Sequence, residues 1–319
     1  MQDAPNSLDR SLAGLKTAEW KAGLEAIAED HGMFQPLDGG HFATFVDKGD
    51  TLLVTFETAG AIRGLSEKAL PYGFQFVRDV GWSHLCVISQ GDTWFREPSV
   101  YALFDRLTDE AFFDDFDRVL FYGAGPCGYA AAAFSVAAPG ARVLAIQPQA
   151  TLDPAMTEWE DRFPELRRTS FTDRYGYAPD MLDAADRAFI LYDPQVPLDA
   201  MHATLFQRAN VTRLRARNLG GALQTSLIDM GLLSRLILYL AEDRLDARRF
   251  HSLWRERRDY RPYLQNLLLR LHHGNRPWLE ALLCRNVTRR MSAPKFQRFL
   301  DQLEKRAASG DLDLPDETD

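Results

Sequence analysis

The run RVLFYGAGPCGYAAAAF, residues 118–134, holds the densest candidate chemistry in the chain. An apolar strand pattern runs into a glycine-rich turn, and an alanine-rich helix pattern starts near Tyr129. Gly123, Gly125 and Gly128 spell G-x-G-x-x-G, a spacing in which backbone N–H groups and a helix dipole can receive a phosphate. The backbone of Gly123, Gly125, Cys127, Gly128 and Tyr129 is therefore the candidate ligand cradle, with the N–H groups of Cys127–Tyr129 as the expected donors to a small anion. Cys127 is the nucleophilic atom type in this turn, and a thiol near a helix N-terminus can be held as thiolate. Asp193, at the end of FILYDP, and His202, nine residues later in a helical stretch, are the candidate acid and base to serve it. No metal site is expected: His272 and His273 are adjacent and diverge on a helix, and His31, His41, His84 and His251 lack ligand-type neighbours in sequence. No P-loop is present.

The elements that would position these residues alternate. Strand patterns fall at Leu52–Phe56, Leu85–Ser89, Arg118–Tyr122, Arg142–Ile146, Ala188–Tyr192 and Val211–Leu214, short and apolar as parallel strands covered on both faces should be. Helical patterns lie between several of them, at Val100–Leu107, Tyr129–Ala137 and Asp199–Arg208. Repeated units of this kind predict an α/β fold with a doubly wound, mostly parallel sheet and right-handed crossovers. Residues 6–30 read as a helix, and 41–60 as a hairpin turned at Lys48-Gly49-Asp50. The proline- and aromatic-rich span 148–186 is longer than a crossover needs and suits a cap over the sheet's carboxyl edge. After about residue 225 the pattern is helical, ending in a helix that follows Ser292-Ala293-Pro294.

Composition bounds the rest. With 319 residues, 46% hydrophobic and 26% charged, the chain is an ordinary globular one. No apolar run approaches the ~20 residues of a membrane span, and the first residues lack a signal-peptide pattern. Cys86, Cys127 and Cys284 are odd in number and far apart, which fits a reducing cytoplasm. The net charge of −8 divides unevenly: residues 246–306 carry 15 Lys+Arg against 6 Asp+Glu, whereas 307–319 hold five acids and no base. A basic helical segment of this kind is a candidate surface for a protein partner, and the strand ends for a small-molecule or anionic ligand. Specific nucleic-acid binding is not expected.

Three resemblances attach to the turn. GAGPCG resembles the phosphate-binding turn of flavin and nicotinamide proteins, which implies a Rossmann-type, NAD(P)- or FAD-dependent oxidoreductase; the acid such folds place after the next strand is replaced by Gln147. It resembles more faintly an S-adenosylmethionine turn, which wants acids where Tyr122 and Gln147 stand. The fullest resemblance is to the α/β-hydrolase superfamily, over roughly 50–235. Tyr122, Gly123, Gly128, Tyr129, Ala130 and Ala131 match a bacterial branch whose elbow reads roughly YGSSMGGYAA, and Tyr192-Asp193-Pro194, Asp199 and His202 match its YDP…D…H pattern. That resemblance implies a three-layer sandwich with nucleophile, acid and histidine at three successive strand ends. Here the nucleophile position falls on Gly125 and the base position on Gly221, within Gly220–Ala222. The expected layout is a helical extension over 1–40, an α/β-hydrolase-like domain over 41–240, a basic helical segment over 241–306 and a disordered acidic tail over 307–319. The expected function is that of a degenerate hydrolase-like protein without an intact Ser-His-Asp triad, used for binding or an altered activity and requiring no cofactor. Alternatives are the dinucleotide oxidoreductase and a hydrolase or acyltransferase with Cys127 as nucleophile.

Overall fold

The structure, a computed structural model, describes residue 8 and residues 10–314. Among these, eight strands form one sheet: β1 (Gly32–Pro36), β2 (His41–Val46), β3 (Thr51–Thr58), β4 (Ser83–Ser89), β5 (Arg118–Ala124), β6 (Arg142–Ile146), β7 (Arg187–Tyr192) and β8 (Val211–Arg215). Their spatial order is β1-β2-β4-β3-β5-β6-β7-β8. The sheet is parallel from β4 to β8, while β2 runs antiparallel to both its neighbours. Helices cover both faces, so the architecture is an α/β-hydrolase-like three-layer sandwich.

Side-chain alternation along the strands assigns the layers. Leu52, Val54 and Phe56 of β3, Leu85 and Val87 of β4 and Phe121 of β5 point into one core. That core also takes in helices α4 (Pro98–Asp109) and α5 (Pro126–Phe134), which α1 to α3 precede in the chain. The opposite face sends Phe42, Val46, Cys86 and Ile88 against α1 (Thr17–His31), α2 (Ala59–Leu65) and α3 (Phe74–Val80). The N-terminal segment is thus part of the sandwich. Trp20, Leu24 and Ile27 are buried, Trp20 Nε1 donates to the Ala69 carbonyl (2.7 Å), and β1 continues the sheet directly after α1.

The hairpin expected at Lys48-Gly49-Asp50 does not form: β2 and β3 are separated by β4. Residues 51–57 of β3 are all buried, so the strand takes a parallel neighbour on each edge, β4 and β5. The connection instead crosses the start of β4, where the Ser83 hydroxyl accepts the N–H groups of Lys48 (2.8 Å) and Gly49 (3.0 Å). The span 148–186 holds only short helical turns, at Pro154–Thr157, Pro164–Arg168, Ala178–Met181 and Leu182–Ala184.

The chain divides into two compact units, Met1–Leu253 and Trp254–Asp319. The helix Ala247–Leu253, within the segment expected to be an appendage, falls in the first unit. The second unit has helices Arg261–His273, Pro277–Arg290 and Pro294–Ala308 around Leu264, Leu268, Ala281, Cys284, Val287 and Leu300. The last helix runs through Ala308, into the first residues expected to be tail; residues 315–319 lie outside the described residues. Among the described residues no single helix is long and apolar enough to cross a membrane.

Candidate functional site

The order β4-β3-β5 reverses the direction of winding between β3 and β5, and ligands of open parallel sheets bind outside the carboxyl ends of the strands at such a point. A cavity of about 490 Å³ opens there. Glu57 and Thr58 at the end of β3 and Ala124, Pro126 and Cys127 at the end of β5 line it.

Strand β5 ends in a sharp turn, and its glycines have separate reasons. A Cβ on Gly123 would overlap the Cys127 carbonyl oxygen, and one on Gly128 would lie 3.0 Å from the Ile146 carbonyl oxygen, so both must be bare for the turn to close against β6. Gly125 forms the apex at φ 58°, ψ −126°, a backbone region that costs an ordinary residue about 1–3 kcal/mol. Its N–H donates to Ile146 O (2.8 Å), and its carbonyl accepts from Tyr129 N (3.0 Å). Nothing lies within 4 Å of where its Cβ would be. This is the geometry of a nucleophile elbow with open space at its apex and no side chain there. The next residue, Pro126, starts α5 and has no N–H, so the donor that an elbow of this type offers to an oxyanion from that position is missing as well.

Asp193 and His202 each make hydrogen bonds away from the turn. Asp193, buried at the end of β7, accepts from Leu219 N (2.9 Å) and Gly220 N (2.8 Å) through Oδ2 and from Gln195 N (2.9 Å) through Oδ1. The carboxylate fastens the loop after β8, which holds Gly220 and Gly221, the expected base position. His202 is fully buried on the helix Pro197–Leu205 and does not join Cys127 and Asp193 in one site. Its Nδ1 accepts from Ala150 N (3.2 Å), which places the proton on Nε2, 2.9 Å from Glu160 Oε2. Glu160 pairs with Arg162 (2.6 Å), and Arg162 with Asp199 (2.6 Å). The D…H pair of the sequence pattern therefore locks the 148–186 span onto the sheet.

Cys127 lines the cavity but is 6% exposed, and burial pushes its thiol well up, with Glu57 and Asp92 pushing the same way. Those two acids lie beside the turn expected to cradle an anion. Of the three N–H groups at Cys127–Tyr129, that of Tyr129 goes to Gly125, and the nearby charge is negative. Gln147, the residue a ribose would meet in a dinucleotide fold, donates its amide to Asp199 Oδ2 (2.6 Å) and Gly220 O (3.1 Å). The turn also follows the fifth strand of eight, with two strand partners already in place, whereas a dinucleotide fold uses its first.

The residue that sequence reasoning missed is Glu57. It is an acid ending the apolar strand TLLVTFET, and that break in pattern was the available signal. On the same sheet face, Thr55 Oγ1 lies 2.8 Å from Glu57 Oε1 and 2.9 Å from His84 Nε2, and Cys86 Sγ lies 3.5 Å from Glu57 Oε1. Burial raises the pKa of Glu57, lowers that of His84 to about 3 and raises that of Cys86. Glu57, His84 and Cys86 offer ligand-type atoms within 4.8 Å of one another, the atom set that suits a soft divalent metal, although burial holds the thiol in the protonated form. Gln224, which lines the cavity, donates through Nε2 to Tyr122 OH (2.9 Å).

No protein-family model matches the chain, and no curated protein is similar to it. Solved structures similar in part include Est1E from Butyrivibrio proteoclasticus, with 12% identity over 64% of this chain and 98% of that one and a TM-score of 0.39. An acylaminoacyl peptidase from Pyrococcus horikoshii gives 8% identity, 68% and 43% coverage and 0.42. The capsule O-acetyltransferase of Neisseria meningitidis serogroup A gives 9% identity, 61% and 92% coverage and 0.38. At these values the likenesses bear on neither activity nor substrate.

Proposed function

We propose that the chain is a degenerate hydrolase-like protein that binds a small molecule in the switch-point cavity and performs no acyl-transfer chemistry there. The apex of the elbow carries this reading. Gly125 supplies no nucleophile, and the residue after it, Pro126, supplies no oxyanion donor. The diverted carboxylate of Asp193 supports it further, since its hydrogen bonds go to backbone N–H groups. A cysteine mechanism finds less support, because the Cys127 thiol is pushed towards its neutral form and both nitrogens of His202 are engaged elsewhere.

The test is covalent labelling of the native protein with a fluorophosphonate, beside the variant Gly125→Ser. Neither protein should be labelled, because the variant regains a hydroxyl but neither a base nor the N–H at position 126. Stoichiometric labelling of the wild type would refute the reading.

A further inference from the structure

Glu57 lines the cavity while only 8% exposed. Its donors are the Thr55 hydroxyl (2.8 Å), the Tyr72 N–H (3.0 Å to Oε1, 3.1 Å to Oε2) and the Cys86 thiol (3.5 Å), none of them a cation. The nearest imidazole, His84, is held neutral by burial. A carboxylate has about four lone-pair sites, and Oε2 accepts only a share of one N–H, so acceptor capacity is left over at the cavity wall. An anion buried without a counter-charge is costly. Asp92 lines the same cavity, and both carboxylates act on Cys127. Lys68 and Arg78 also line it, and each already has an interaction of its own. Ile62, Leu65, Phe74 and Ile228 supply apolar wall, and the volume suits an organic molecule of modest size.

We infer that the cavity takes an amphipathic primary amine, with Glu57 as counter-ion to its ammonium group and the apolar wall receiving its hydrocarbon body. The inference rests on reading the cavity as a binding site. The ammonium brings three donors to a carboxylate with unused acceptor sites, and its charge removes the penalty of ionising Glu57 in a buried position. An anionic ligand would add to the unfavourable charge of Glu57 and Asp92 instead.

Hexylamine, hexanoate and hexanol, matched in chain length, are titrated into the full-length protein at constant pH and ionic strength, read by calorimetry and thermal melting. Hexylamine should bind saturably and raise the melting temperature, with the other two at least about tenfold weaker. Glu57→Gln, which keeps the shape and removes the charge, should weaken hexylamine by at least about tenfold. If that variant melts non-cooperatively, Asp92→Asn, at an exposed residue, should give a smaller loss. Binding of hexanol or hexanoate as tight as that of hexylamine overturns the ammonium assignment and leaves the cavity a binding site. No binding by any of the three, or unchanged hexylamine affinity in both variants, overturns it too. Hydrolysis of an ester of hexanol would instead sink the non-catalytic reading.

Discussion

A Cβ at Gly125 would enter open space, so a substitution there meets a backbone penalty and no clash. Gly125→Ser should lower the unfolding free energy by about 1–3 kcal/mol, the usual cost of such a φ/ψ for a residue with a side chain. Gly123→Ala drives a methyl into the carbonyl oxygen of Cys127, a backbone atom that cannot step aside without opening the turn. Urea denaturation of the two variants should rank Gly123→Ala as much the worse, to the point of failing to fold. Equal midpoints would mean that the turn is not closed as described. These glycines were legible in the sequence because their spacing has few structural uses. Glu57 was not, since one acid at the end of a strand becomes notable only when the winding of the sheet places a cavity beside it. The destinations of Asp193 and His202 were equally hidden: residue type names a donor or acceptor, but only the fold names its partner.

The lock that holds the 148–186 span makes a prediction at the level of elements. Burial lowers the pKa of His202 beneath its ordinary 6.5. The unfolded chain therefore takes up this proton first as pH falls, and the stabilisation present above 6.5 is lost on acidification. Burial pushes Glu160 up, but the hydrogen bonds of His202 and Arg162 outweigh it and hold it at about 2, against an ordinary 4.5. Its contribution is present above 4.5 and is lost as pH falls towards 2. Glu57 works the other way, its raised pKa lending stability in acid that is lost as pH rises through it. The His202 share lowers the urea midpoint as pH falls below 6.5, and His202→Gln should remove that share, leaving a stability less reduced by acidification than that of the wild type. An unchanged slope in the variant would remove His202 from the account. Six of the eight strands were readable from their apolar runs; in β3, β4, β6 and β7 burial on both faces leaves a continuous pattern, whereas β8 buries only Leu214. The pairing of β2 with β4 was not, since the turn at Lys48-Gly49-Asp50 has the composition of a hairpin and the competing partner lies some forty residues away in sequence.

At the scale of the whole molecule, each compact unit has a core of its own. Leu268 is fully buried in the second, and Leu268→Ala should cost about 2–5 kcal/mol there. Two melting transitions, with ligand binding to the first unit intact after the lower one, would agree with the division at Leu253–Trp254. Loss of binding together with that transition would show the two units to be one cooperative body. The first unit has an α/β-hydrolase-like architecture, with a sharp turn after β5 and a cavity at the switch point. The proposal that the cavity performs no acyl transfer rests on the glycine at the apex of that turn, the proline after it and the Asp193 carboxylate held by backbone N–H groups. Turnover of a p-nitrophenyl ester by the wild type, measured beside Cys127→Ala and a protein-free blank, tests that claim most directly. The account predicts no saturable rate above the blank for either protein. Saturable turnover by the wild type that disappears in Cys127→Ala would contradict it and make the cavity an active site.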